Sequence, residues 1–405
     1  LLVCLGVISG CGGGGDSLGG GGSSSSSGGS GTVASGANVA TVTVSAGPAG
    51  VNAVNTLYTT VTVCVPNTTT CQTIDNIQVD TGSYGLRLLS GALTLSLPVA
   101  TAASGGGLVE CTEFVDGYSW GPVALVDLQI SGETANSVPV QLIGDSRYPT
   151  APGDCSSGAP AAENTVASFG ANGVLGIGPF VQDCGTYCAA NIPEPIQYYG
   201  CTTSIECQGT LVPVSAQVQN PVTMFTTDNN GTIIVLPSVA SGGAASVSGS
   251  LIFGIDTESN NASGTPTVLP VADTGYVTTV FDGQTLSDSF VDSGSNATYF
   301  QDSSLTQCPT SGSSSAGISD FYCPTSPTSL TAAFVLSNNS TVNVSFLVAN
   351  ADDVSNSVTA YPGLAGTNPT SASFDWGLPF FYGRRVANAI EGAATSVGTG
   401  PYIAY

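Results

Sequence analysis

Along most of the chain apolar residues alternate with Ser, Thr and Asn in short runs. Val42 and Val44, then Leu57 to Val65, then the V-A-L-V-D-L-Q-I run ending at Ile130 carry an apolar residue at nearly every second position. That is the period of a strand with one buried face. Gly, Pro and Asn interrupt the runs where turns are needed. The pattern predicts an all-β protein.

Two segments stand out from the alternation in the same way. Ile77 to Ser83 reads I-Q-V-D-T-G-S, and Ser289 to Ser295 reads S-F-V-D-S-G-S. Each sets a carboxylate, Asp80 or Asp292, at the end of an apolar strand and ahead of a tight turn. Thr81 and Ser293 are placed to hydrogen-bond nearby backbone, Gly82 and Gly294 to let other groups approach closely, and Ser83 and Ser295 to orient the carboxylates. One such string reads as a surface turn in a chain rich in Gly, Ser and Thr. Two, each followed by a glycine-centred apolar segment (N-G-V-L-G-I-G at 172–178, W-G-L-P-F-F at 376–381), predict a duplicated β lobe that contributes one aspartate from each half.

Between the two motifs, F-V-D-G-Y-S-W-G-P at 114–122 predicts a hairpin with aromatics at its tip. Phe114, Asp116, Gly117, Tyr118 and Trp120 are its candidate substrate-binding residues if the hairpin closes over a cleft. Otherwise it is a plain surface hairpin.

Charge narrows the chemistry. The formal net charge is −23, with four Lys+Arg and no His, and all four basic residues are arginines. Nucleic acid is excluded as a partner, because its recognition needs a basic footprint. Without histidine no Ser-His-Asp or Cys-His nucleophile can be assembled, and zinc loses its commonest ligand. Carboxylate chemistry remains, with neither metal nor cofactor expected, and few positive charges are left to repel one another in acid.

The ends and the cysteines suggest export. Residues 1–11 read as the remnant of a signal peptide ending in the lipobox I-S-G-C, with Cys11 as the lipidation site. Residues 12–37 form a Gly/Ser-rich tether, 38–262 an N-terminal β lobe and 263–405 a C-terminal β lobe, with the polar stretch 257–265 at the division. Setting aside Cys4 and Cys11 leaves ten of the 12 cysteines. An oxidising compartment then predicts five disulfides: Cys64 with Cys71, Cys308 with Cys323, Cys111 with Cys155, and local pairs among Cys184, Cys188, Cys201 and Cys207. Spacing leaves connectivity open, and a metal site is the alternative for the last four.

With these pieces in order, the chain resembles the pepsin-like aspartic peptidases and is similar in particular to the uncharacterised bacterial lipoproteins of the DUF3443 type. The resemblance rests on V-D-T-G-S at 79–83, F-V-D-G-Y-S at 114–119, N-G-V-L-G-I-G at 172–178, S-L-I-F-G-I-D-T at 250–257, F-V-D-S-G-S at 290–295 and W-G-L-P-F-F at 376–381. It implies a bilobed pepsin-like fold, two pseudo-symmetric β lobes around a central cleft with Asp80 and Asp292 facing each other at its floor. It further implies a monomeric, acid-favoured aspartic endopeptidase acting on peptide or unfolded protein, held at the bacterial outer membrane by its lipid anchor alone. The chain departs from the family pattern in four places. Phe114 stands for the flap tyrosine, with Tyr118 or Trp120 as substitutes. Arg87 stands for a supporting tryptophan, where its charge is expected to lower the pKa values of the pair. Asp375 takes an apolar position, and Pro379 interrupts the strand that follows. These departures make a catalytically inactive peptide- or protein-binding surface lipoprotein the alternative. A glycosidase would need carboxyls about 5 Å or more apart in unlike settings, against the near-identical settings of the two motifs.

Overall fold

The computed structural model describes residues 34–115, 117–156, 161–309 and 319–405. The signal remnant with Cys11, the tether up to residue 33, and Asp116 lie outside the described residues. The fold is all-β, built from sheets of 15, 7 and 2 strands. Among the described residues the α-helices, Gly153–Ser156, Val166–Phe169 and Thr186–Ala190, are no longer than 5 residues.

One local topology occurs twice. In the first half the strand Cys71–Asp80 runs parallel to Gly173–Ile177, with Asp80 opposite Gly176. The chain turns after Asp80 and returns as Tyr84–Leu89, antiparallel to the other edge of Gly173–Ile177. In the second half Gln284–Val291 runs parallel to Asp375–Trp376, and Thr298–Phe300 returns along the other edge. Each half therefore inserts a later strand between the two arms of its carboxylate turn. Close packing explains the glycines there: a Cβ at Gly176 would lie 2.6 Å from Tyr84 N, and one at Gly377 would lie 2.1 Å from Ala297 O. As the sequence suggests, Pro379 ends the second inserted strand after Trp376, and Leu378–Phe381 forms a 3₁₀ turn.

The larger sheet takes strands from both sides of position 262. Arg385–Ala389 pairs with Gly231–Val235, and Tyr402–Ala404 pairs with Arg385–Ala389 and Val268–Pro270. Further bonds join the halves. Asn55, fully buried, donates to Asn296 O and Tyr361 O (both 2.8 Å) and accepts from Tyr361 N and Tyr382 Oη (both 2.7 Å). The main core is continuous from Ala40 to Ile403.

All ten cysteines within the described residues are bridged: Cys64–Cys71, Cys111–Cys155, Cys184–Cys188, Cys201–Cys207 and Cys308–Cys323. The three longer-range pairs are those expected. The four local cysteines are consumed in disulfides, which overturns the alternative of a thiolate metal site there.

Candidate active site

The two carboxylate turns meet back to back. Thr81 N–H donates to Ser293 Oγ (3.1 Å) and Ser293 N–H to Thr81 Oγ1 (2.9 Å). The same hydroxyls reach across to the opposite strands, Thr81 Oγ1 donating to Val291 O (3.1 Å) and Ser293 Oγ to Val79 O (2.8 Å). Gln78 adds a bond from its amide to Gly294 O (2.9 Å). All of these partners are buried, so the lock is sheltered from water and fixes the separation of the two turns.

That lock brings Asp80 and Asp292 together. A Cβ built on Gly294 would stand 2.6 Å from Asp80 Oδ1 and 3.1 Å from Asp292 Oδ1, so both carboxylates converge on this glycine. A Cβ on Gly82 would stand 2.7 Å from Asp292 Cγ. No side chain larger than hydrogen fits at either place. Gly82 N–H donates to Asp80 Oδ1 and Gly294 N–H to Asp292 Oδ1, both at 2.7 Å. Both aspartates are fully buried. Burial first, then the charge of Asp80, hold the Asp292 carboxyl well above the usual carboxylate range.

The third motif position differs between the turns. Ser295 Oγ donates to Asp292 Oδ2 (2.9 Å), as its place in the motif suggests. Ser83 does not do the same for Asp80: its hydroxyl is buried and has no hydrogen-bond partner.

The aromatic hairpin forms, from Gly107–Glu113 and Tyr118–Ile130, but its aromatics do not gather over the carboxylates. Phe114 is buried in a small core with Phe169, Leu89 and Ile143, its ring edge-on to Phe169. Trp120 is buried against Tyr199, and its Nε1–H donates to Tyr148 O (3.0 Å). Tyr118 is half-buried beside that same cluster, with its backbone N–H donating to Ala161 O. A Cβ on Gly117 would meet Ala161 O at 2.7 Å. The expectation that Phe114 and Trp120 bind substrate is therefore corrected: both turn into the lobe, where residues 148, 169 and 199 complete their packing.

Arg87 is corrected as well. Its Nη2 pairs with Glu110 (2.7 Å) and Asp183 (3.0 Å), its Nε donates to Thr112, and its Nη1 donates to Tyr84 O (2.5 Å). The guanidinium is fully buried and spent on these partners, so it does not act on the Asp80–Asp292 pair in the way expected. Tyr84, directly after the first motif, was not foreseen as part of the site. Its ring packs on Phe180 (5.5 Å), and burial, followed by the charges of Asp80 and Asp292, raises its hydroxyl above the usual range. The signal available for it was an aromatic residue at the first step out of the turn. A cavity of about 390 Å³ beside Arg384, Arg385 and Tyr405 contains neither aspartate.

The family described as "Protein of unknown function (DUF3443)" matches residues 34–405. The chain belongs to this family. No curated protein matches it. Among solved structures it is similar to an aspartic proteinase from Irpex lacteus, at 12% identity and a TM-score of 0.48, over 90% of this chain and 96% of that one. For this member of the DUF3443 family, then, the site is defined by its own geometry.

Proposed function

We propose that the chain is an acid-active aspartic endopeptidase in which Asp80 and Asp292 jointly activate a water for attack on a peptide carbonyl. The observation that carries this reading is the convergence of two fully buried carboxylates, one from each turn, on Gly294. Two carboxyls this close do not both ionise readily, so the pair keeps one proton over an acidic window. The ionised member accepts a proton from the water as its oxygen bonds to the carbonyl carbon, and the protonated member donates to the carbonyl oxygen. Collapse of the resulting diol breaks the C–N bond as a proton passes to the departing amine. The substrate is a peptide or an unfolded protein segment. Five disulfides suit an oxidising compartment and support export. Lipidation at Cys11, with attachment to the bacterial outer membrane, completes the proposal.

A second reading, a peptide- or protein-binding member without turnover, is favoured by the full burial of both aspartates and by the packing of Phe114 and Trp120 away from them. Digestion of an unfolded protein at about pH 3 to 5, the window in which a carboxylate pair holds one proton, separates the two. The peptidase reading expects pepstatin-sensitive cleavage that Asp80→Ala abolishes. Purified protein with an intact pair that cleaves nothing across that range establishes the binding reading instead.

A further inference from the structure

The second half holds a third buried carboxylate that the mechanism above does not use. In S-F-D-W-G the flanking rings of Phe374 and Trp376 enter the aromatic core, 4.5 Å apart at their centroids and close to Phe300 and Phe334. Strand alternation then turns Asp375 to the opposite face. Its register places it beside Phe290 on one strand and Tyr299 on the other, and the carbonyl of the next residue accepts from Asp292 N–H (3.0 Å). Asp375 is fully buried, and neither carboxyl oxygen has a hydrogen-bond partner of normal geometry.

A bare buried carboxylate costs far too much to persist without a cation, and no arginine answers it. Arg87 is bound to Glu110 and Asp183, Arg147 to Asp145, Arg384 lies over Phe380, and Arg385 donates to Ala262 O. On the flanking strands Asp288 is exposed and the Tyr299 hydroxyl donates to Asn296. The charged groups acting on Asp375 are thus the pair itself. Burial pushes its carboxyl well above the usual range, the charge of Asp80 adds to that rise, and the Ser295 hydroxyl faces it. A neutral Asp375 has one O–H to place. Ser295 Oγ gives its own proton to Asp292 Oδ2 and keeps lone pairs free to accept.

We propose that Asp375 is a positioning residue of the carboxylate pair, its neutral acid donating to the Ser295 hydroxyl, which in turn donates to Asp292. This rests on reading Asp80 and Asp292 as the reacting groups. The chain of two hydrogen bonds polarises Ser295, fixes its hydroxyl on Asp292 and favours the ionised form of that residue. The first turn has no counterpart, and there the matching hydroxyl of Ser83 is idle.

Two variants and one spectrum test it. Asp375→Asn keeps a neutral donor and is expected to stay within about threefold of wild-type kcat with an unmoved pH profile. Asp375→Leu removes the donor and is expected to lose about tenfold in kcat with KM unchanged, while both limbs of the profile move to higher pH. Adding Asp375→Leu to Ser295→Ala should cost nothing further, because the two act in series. If Asp375 were charged, both variants would remove a like charge and shift the profile to lower pH together. That result, or an Asn variant as slow as the Leu one, overturns the proposal.

Carbon-13 NMR of the aspartate carboxyls, assigned with Asp375→Asn, needs neither turnover nor the Leu variant. The Asp375 signal should keep its neutral-acid position well past the pH at which the exposed aspartates titrate, and Ser295→Ala should displace it. Titration with the exposed aspartates near about pH 4 overturns the proposal and leaves the peptidase reading intact. A protonated Asp375 in a protein that cleaves nothing supports the proposed hydrogen-bond chain while removing the peptidase reading.

Discussion

Behind the first carboxylate turn lies a buried ion network, and behind the second lies a cluster of aromatic rings. Arg87, Glu110, Asp183 and Tyr198 are tied together in the first half, with Tyr198 Oη donating to both oxygens of Asp183 (2.8 Å). Burial, then the neighbouring Glu110, hold the Asp183 carboxyl well above its usual range. In the second half Phe281, Phe300, Phe334, Phe346, Phe374, Trp376 and Phe380 pack ring against ring, and Trp376 Nε1–H donates to Thr279 Oγ1. Two nearly identical motifs thus stand on supports of opposite character. The motif residues set the meeting of the carboxylates, whereas the supports set how each half responds to pH and to truncation.

Arg87→Leu and Trp376→Ala should break this comparison most visibly. Removing the arginine strands two buried acids and is expected to cost about 3–5 kcal/mol at neutral pH. Removing the indole leaves a large cavity and should cost a similar amount, about 3–5 kcal/mol. Denaturant melts at two pH values separate them. The arginine variant should recover part of its stability in acid, where the stranded buried charge is relieved, and the tryptophan variant should not. Equal losses at both pH values would show that the network carries no net charge effect.

The next effect concerns the whole molecule. Glu133 is raised from 4.5 to about 7 by burial first and then by the charge of Asp228. Asp183, Asp292 and Asp375 are raised as well. A carboxyl whose folded pKa exceeds its unfolded one favours the folded state most below the unfolded value, and that advantage is lost as pH rises through the folded value. The Glu133 contribution should therefore fade between pH 4.5 and about 7. Thermal unfolding followed across this window should show Tm falling with pH, and Glu133→Gln should flatten the slope. A Tm that rises with pH over the window contradicts the assignment.

The smallest effect sharpens the motif itself. Ser295→Ala should lower kcat about tenfold through loss of a charge-assisted hydrogen bond to Asp292. Ser83→Ala deletes a hydroxyl that bonds nothing and should change kcat by less than about twofold. Equal losses would mean that Ser83 engages Asp80 after all.

Much of this layout was legible in the sequence, because it depends on local rules. Alternation gave the strands, the doubled D-[ST]-G-S gave the two turns, and the even count of ten cysteines gave the number of bridges. The misreadings share a cause. Phe114 and Trp120 sit at the ends of a hairpin, where sequence alone suggests exposure, but Phe169, Tyr148 and Tyr199 arrive from distant segments to bury them. Arg87 lies close to Asp80 in the chain, and its acidic partners lie 23 and 96 residues further on. Ser83 and Ser295 hold the same motif position, and only the packing behind them distinguishes their roles. The pairing of Arg385–Ala389 with Gly231–Val235 likewise depends on long-range register that no local pattern reports.

The most direct test of the account is a proton count. Potentiometric titration of the wild type against an Asp80→Asn, Asp292→Asn double variant measures the protons held by the pair, whatever the protein cleaves. The account predicts that the wild type retains one proton after its ordinary carboxylates have ionised. Loss of both protons together near about pH 4, as from two independent aspartates, would contradict it.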